Sequence, residues 1–271
     1  MKLDSNRAWK DASRNVSRNR DAIMAVAGVF FLLPQLALGL FFPQPEPAVG
    51  MSEQQMVEMV QAYYASTLPA LLPMVFCQAL GTITLLTLLS HSARPTVGEA
   101  LRRSLPGVLT YLGAQILLGL AIGFAGGLVL SLATLSGMRM LLVAGAALVL
   151  VAVGAVLVRV SLSAAVVAIQ GQRNPARALR QSWALTRGNG WRLFAFYALV
   201  FVTFLVVQMV LGIVIGIPLT MLGGSTAVLL ATALVSALLN AAMAVYLIAI
   251  LGAVHDQLAG PANEQERRTF E

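Results

Sequence analysis

Charge is what this 271-residue sequence has least of: 11% of its residues are Asp, Glu, Lys or Arg, against about 25% in an ordinary soluble domain. Cysteine is almost absent. Cys77 is the single one, so an internal disulfide and a C-x-x-C metal or redox motif are excluded. Because it falls in an apolar stretch, Cys77 reads as a small packed hydrophobe. Histidine occurs twice and aromatic residues make up only 7%. What fills the space is apolar: 58% of the chain is hydrophobic and the mean hydropathy is +0.82. A soluble enzyme, a disordered chain and a disulfide-stapled secreted domain are all excluded by that composition. The reading is an all-α, polytopic membrane protein.

Six apolar segments stand out, at about 22–42, 67–90, 107–134, 138–169, 192–222 and 225–257. Each reaches the ~20 residues that a helix needs to cross a bilayer, and the longer ones tilt or project. A backbone in hydrocarbon must satisfy its own hydrogen bonds, and runs of this length do so as helices. The first segment exceeds the ~7–15-residue core of a signal peptide, so it is expected to stay as a span.

The basic residues set the orientation. Segments 1–21, 91–106, 170–192 and 258–271 hold 6, 3, 5 and 2 Lys or Arg, whereas the intervening loops hold only Arg139. A positive-inside bias this strong predicts that both termini are cytoplasmic. The same bias explains the net charge of +7 without nucleic acid as a partner. Arg159, inside the fourth segment, either snorkels or pairs structurally at its cytoplasmic end, or faces a cavity.

Three basic segments share a pattern. Asn174 and Pro175 read as an N-cap and first helical residue, and Gly188 as a left-handed stop. Between them Arg177, Arg180, Gln181 and Arg187 occupy one side, and Ala178, Leu179, Ser182, Trp183 and Leu185 the other. Such a helix, over about 175–187, lies in the interface with its arginines toward anionic headgroups. Trp191 and Arg192 mark entry into the fifth span. Over 97–105, after the capping box Thr96 to Glu99, Ala100-Leu101-Arg102-Arg103-Ser104-Leu105 parallels Ala178 to Trp183. Over 6–19, Arg7, Lys10, Arg14 and Arg18 form a stripe, and Ser13, Val16, Ser17 and Arg18 align with Ser182, Leu185, Thr186 and Arg187. The chain therefore reads as a threefold repeat of interfacial helix plus hairpin, forming a single domain over 1–271. On the opposite side, Ser52 to Gln55 is a further capping box before a short outer helix.

Within the spans, Gly119, Gly123 and Gly127, then Gly212 and Gly216, recur every four residues. Such spacing lets backbones approach closely, within the chain or in a homo-oligomer. Nearly every span carries an amide: Gln35, Gln78, Gln115, Gln208 and Asn240, with Gln170 at the end of the fourth. These amides either bond across helices or line a polar groove, and Tyr111, Tyr197 and Tyr246 can join either arrangement. No carboxylate lies deep in a span, which weakens a proton-coupled transporter.

His91 and His255 lie at span ends without ligand spacing to a partner. Walker, G-x-S-x-G and H-E-x-x-H motifs are absent, as are paired buried carboxylates. No enzymatic activity, catalytic residue, metal or cofactor is expected.

The stretch Ser182-Trp183-Ala184-Leu185-Thr186-Arg187-Gly188-Asn189-Gly190-Trp191-Arg192-Leu193-Phe194 resembles the YciC-like bacterial inner-membrane proteins. It is also similar to the membrane domain attached to some glycerophosphoryl diester phosphodiesterases, and Ser52 to Gln55 resembles the YciC-like proteins too. The resemblance implies a six-span inner-membrane protein linked to envelope or lipid physiology. It does not imply phosphodiesterase activity, which belongs to a separate metal-binding barrel with no counterpart here.

The expected function is non-enzymatic binding or organisation of membrane phospholipid, anionic lipid above all, in support of envelope homeostasis. The interface residues are Arg177, Arg180, Trp183, Arg187, Trp191 and Arg192, and the intramembrane polar residues are Gln78, Gln115, Arg159, Gln208 and Asn240. The alternatives are a solute or lipid permease component and a scaffold for a membrane-protein partner.

Overall fold

The computed structural model describes residues 2–270 apart from 44, 46–47, 49, 91–94 and 223–224, and it leaves undescribed the side chains of 216–217, 219–222, 225–229 and 261–270. His91 therefore lies outside the described residues. The described residues contain helices and no strand. In chain order these are α1 (Ser5–Arg18), α2 (Arg20–Ala27), a π-helical turn (Gly28–Leu32), α3 (Leu33–Phe41), α4 (Glu53–Ser90) and α5 (Val97–Leu135). They are followed by α6 (Arg139–Val160), α7 (Ser163–Ile169), α8 (Pro175–Leu185), α9 (Gly190–Leu222) and α10 (Ser225–Phe270). Six stretches are long and apolar enough to cross a membrane: Arg20–Phe41, Glu53–Ser90, Val97–Leu135, Arg139–Ile169, Gly190–Ile215 and Leu230–Gly260.

The helix starts follow the capping signals. Asp4 accepts from the Arg7 amide at the start of α1. Both capping boxes are present, with Thr96 and Glu99 and Ser52 and Gln55 bonding reciprocally. The elements behind the caps are longer than the spacing predicts. The expected outer helix is not separate, because α4 runs on through Pro69 and Pro73 for 38 residues. The basic segment before the third span is likewise the first part of α5, continuous through Pro106. At 1.5 Å per residue α4 is about 57 Å long, well beyond a ~30 Å hydrocarbon layer.

The fourth segment divides instead. Its helix stops at Val160, and after Ser161 and Leu162 the short helix α7 turns inward. Residues Ser163 to Val167 are all buried, packed against α4, α5 and α8. In the first span, the Leu33 amide bonds back to the Gly28 carbonyl, five residues away, which defines the π turn. Pro34 follows and has no N–H to continue the α ladder.

Burial concentrates at the end of the bundle where α1 meets the last part of α10. One apolar cluster joins α2, α4, α5, α7 and α10 through residues such as Val26, Ile83, Leu86, Val166 and Ile248. A second joins α1, α9 and α10 through Ala8, Ala12, Leu193, Ile250 and Val254. Away from this end the most apolar stretches of α5 and α6 bury nothing.

The glycine pattern needs correcting here. A Cβ built at Gly119, Gly123, Gly127 or Gly212 meets nothing within 4 Å, so these glycines do not bring helices of the chain together. α5 packs closely on α6 at Gly126, where an added Cβ would stand 3.2 Å from Val149, and at Gly145, where it would stand 3.3 Å from Ala133. The tightest approach is at Gly81, where a Cβ would stand 2.7 Å from Phe30 and Phe31. Glycine there lets the π turn lie directly on α4.

Candidate functional site

Two groups of side chains carry the polar character of the molecule. The first is built on α8. Asn174 accepts from the Arg177 amide at 3.1 Å, and Pro175 follows at N1, so the helix starts where the sequence predicts. Ala178 and Ser182, one turn apart, are fully buried and fix which face α8 turns to the bundle. Arg177, Arg180 and Arg187 are consequently exposed, and Trp183 is half-exposed beside them. Gly188 adopts φ +84°, the left-handed stop, and α9 begins two residues later. Trp191 stands out at 78% exposure, stacked on Phe194 at 5.5 Å, with Arg192 exposed next to it. Among the described residues, none of Arg177, Arg180, Arg187 and Arg192 has an anionic partner. All six predicted interface residues are therefore exposed.

Arg159 ties this region to α6. Its guanidinium lies over the Trp183 ring at 5.1 Å, within cation–π range. Its carbonyl, one of the last of α6, has no helical partner of its own. It accepts from both Ser182 Oγ and Thr186 Oγ1 at 3.0 Å. Residues 182–189 thus form a joint: Ser182 and Thr186 cap α6, Trp183 covers Arg159, and Asn189 accepts from the Leu3 amide.

The second group is a cavity of about 300 Å³. Gln35 from α3, Gln78 from α4, Gln115 from α5 and Asn240 from α10 all line it, together with Tyr111. Gln115 donates to the Tyr111 hydroxyl at 2.9 Å, and Asn240 to the Ser236 carbonyl at 2.8 Å. The side chains of Gln35 and Gln78 make no hydrogen bond with the described residues. Among the described residues, no charged one lines the cavity. Of the five intramembrane polar residues predicted, Gln78, Gln115 and Asn240 are brought together, while Arg159 and Gln208 are not. Gln208 is exposed on α9, with no bond across to another described helix.

The remaining polar residues are structural. Tyr197 lies 3.3 Å from the Ser161 hydroxyl, and Tyr246 stacks on Trp9 at 5.8 Å. Gln170 does not join the amides of the cavity. It bonds instead to His255 at 2.9 Å, a residue only 1% exposed. The contact runs between the Gln170 amide and His255 Nε2, while the buried His255 Nδ1 lies 3.5 Å from Asp256 with no hydrogen-bond partner among the described residues. Gln35 and Tyr111 were visible as polar residues within spans, but the spacing gave no indication that they meet. The π turn that orients Gln35 leaves no signal beyond Gly28 and Pro34.

Comparison with family models matches residues 5–258 to a domain of unknown function, DUF7847. The match covers nearly the whole chain, and the protein belongs to that family. No curated protein and no solved structure matches it.

Proposed function

We propose that this member of the DUF7847 family is a non-enzymatic protein of the bacterial inner membrane that holds anionic phospholipid on its cytoplasmic side and supports envelope homeostasis. The observation that carries the reading is the α8 region. Four arginines are exposed there with no anionic partner among the described residues, and Trp183 and Trp191 flank them. Anionic headgroups on the cytoplasmic leaflet would supply the counter-charge. Each Lys or Arg near an anionic membrane surface contributes about 1 kcal/mol, and tryptophan favours the headgroup level.

The same reading makes α1, the start of α5 and α8 three interfacial copies of one unit. What supports it is a shared burial pattern: Ala8 and Ala12, Ala100 and Ser104, and Ala178 and Ser182 are each a buried pair four residues apart, with exposed arginines alongside. The α1 pair falls one residue out of the register that aligns Ser13 with Ser182.

Native mass spectrometry of the protein released from nanodiscs tests it. The wild type is expected to retain phosphatidylglycerol, and the variant with Arg177, Arg180 and Arg187 changed to Gln to lose most of it. Equal retention would overturn the reading. The amide cavity favours a second reading, a permease component, for which solute flux should vanish on Gln115→Ala.

A further inference from the structure

Beyond the basic face, we propose that the cavity between α3, α4, α5 and α10 is a binding site for an uncharged, hydroxyl-rich group. Four carboxamides from four helices converge there with a phenol. Each carboxamide offers two donor hydrogens and two acceptor lone pairs. The bonds within the protein use one donor of Gln115 and one of Asn240, leaving most of this capacity free. Hydroxyl groups, which both donate and accept, match a surface of that kind.

An anion or a cation does not match it. Among the described residues no charged side chain lines the cavity, and a buried ion without a partner carries a large desolvation penalty. Depth strengthens this exclusion. Gln78 lies about 18 Å along the helix axis from Ser90, and Gln115 about 27 Å from Val97, at 1.5 Å per residue. Phosphate therefore belongs with the arginines, and the cavity takes a neutral ligand.

The size and the opening define the ligand further. About 300 Å³ is at the small end of ligand pockets, enough for a headgroup but not for a whole lipid. At its rim Val75 is 49% exposed and Gln115 is exposed, so the cavity opens sideways, where acyl chains would run. The two sources of such a group are a neutral glycolipid, entering from the side, and a free polyol.

The local backbone is shaped for this site. The π turn contributes Phe31 to the cavity wall and sets the direction of Gln35. Its removal would rotate Gln35 by about 100°, one residue of helical advance. Turns of this kind occur often at functional sites. Gly81 allows the turn to sit against α4, which closes the cavity on that side.

The test uses the full chain in nanodiscs of phosphatidylethanolamine and phosphatidylglycerol doped with monoglucosyl diacylglycerol, read by native mass spectrometry. In parallel, glycerol entry is followed in proteoliposomes. Gln78→Leu/Gln115→Leu removes the amides, and Ala244→Leu fills the space while leaving them in place; an unchanged thermal midpoint shows that either variant is folded. The wild type should retain the glucosyl lipid at least tenfold better than both variants, with the triple arginine variant unaffected. Glycerol entry that depends on the same residues, without retained glycolipid, would assign the site to a free polyol. The proposal is overturned if neither probe distinguishes the variants from the wild type. It is equally overturned if phosphatidylglycerol retention falls in Gln78→Leu/Gln115→Leu, because the cavity would then hold an anion.

Discussion

The backbone N–H of Leu3 donates to the side-chain oxygen of Asn189 at 3.0 Å, across 186 positions of sequence. Both residues are buried, and the bond seats the start of the chain on the turn between α8 and α9. Removing the acceptor with Asn189→Ala leaves a buried amide unpaired, which costs about 1–3 kcal/mol. The variant is expected to melt earlier in detergent and to exchange its amide hydrogens faster over residues 3–12.

The Arg159 carbonyl provides a sharper test because it has two donors. Ser182→Ala alone leaves Thr186 on it, and Thr186→Val alone leaves Ser182. Each single change should be mild, and the double change should exceed their sum by roughly 0.5–3 kcal/mol, the range for residues sharing a partner. A thermodynamic cycle on the thermal midpoints measures this coupling.

Two glycines should respond in opposite ways to one added methyl group. At Gly81 an alanine Cβ meets Phe30 and Phe31 at 2.7 Å, an overpacking that costs typically about 1–3 kcal/mol. At Gly119 it meets nothing within 4 Å. Gly81→Ala should lower the melting temperature, whereas Gly119→Ala, inside α5 and free of any clash, gains helix propensity and should raise it slightly.

The buried pair of Gln170 and His255 separates a lost partner from a lost pair. Gln170→Leu strands the imidazole nitrogen in a site only 1% exposed, at about 1–3 kcal/mol. Changing both residues to Leu removes the polar requirement together with its partner and should restore much of that loss. Stability of the wild type and the two variants, measured side by side, checks the order.

Local signals in the sequence were the readable ones. Caps at Ser52, Thr96 and Asn174 lie in a few adjacent residues, and their geometry follows from that stretch alone. The left-handed Gly188 is equally local. Breaker signals were less reliable: Pro106 suggests an end to a short interfacial helix at residue 105, yet α5 runs through it. Which glycines meet a neighbour depends on how a helix is rotated, a tertiary property, and so Gly126 packs while Gly119, Gly123 and Gly127 do not. The amide cavity was half readable. Amides in successive spans were evident, but the separation of Gln208 from Gln115 is set by the rotation of α9, and the aim of Gln35 by one π turn.

The central claim is that the α8 arginines hold anionic lipid, and photo-crosslinking measures that contact directly. Phosphatidylglycerol carrying a headgroup diazirine, activated in nanodiscs holding the full chain, should place its crosslinks on residues 175–192. Those crosslinks should fall at least fivefold when Arg177, Arg180 and Arg187 become Gln. Crosslinks spread evenly over the bundle, or unchanged in the triple variant, would contradict the account.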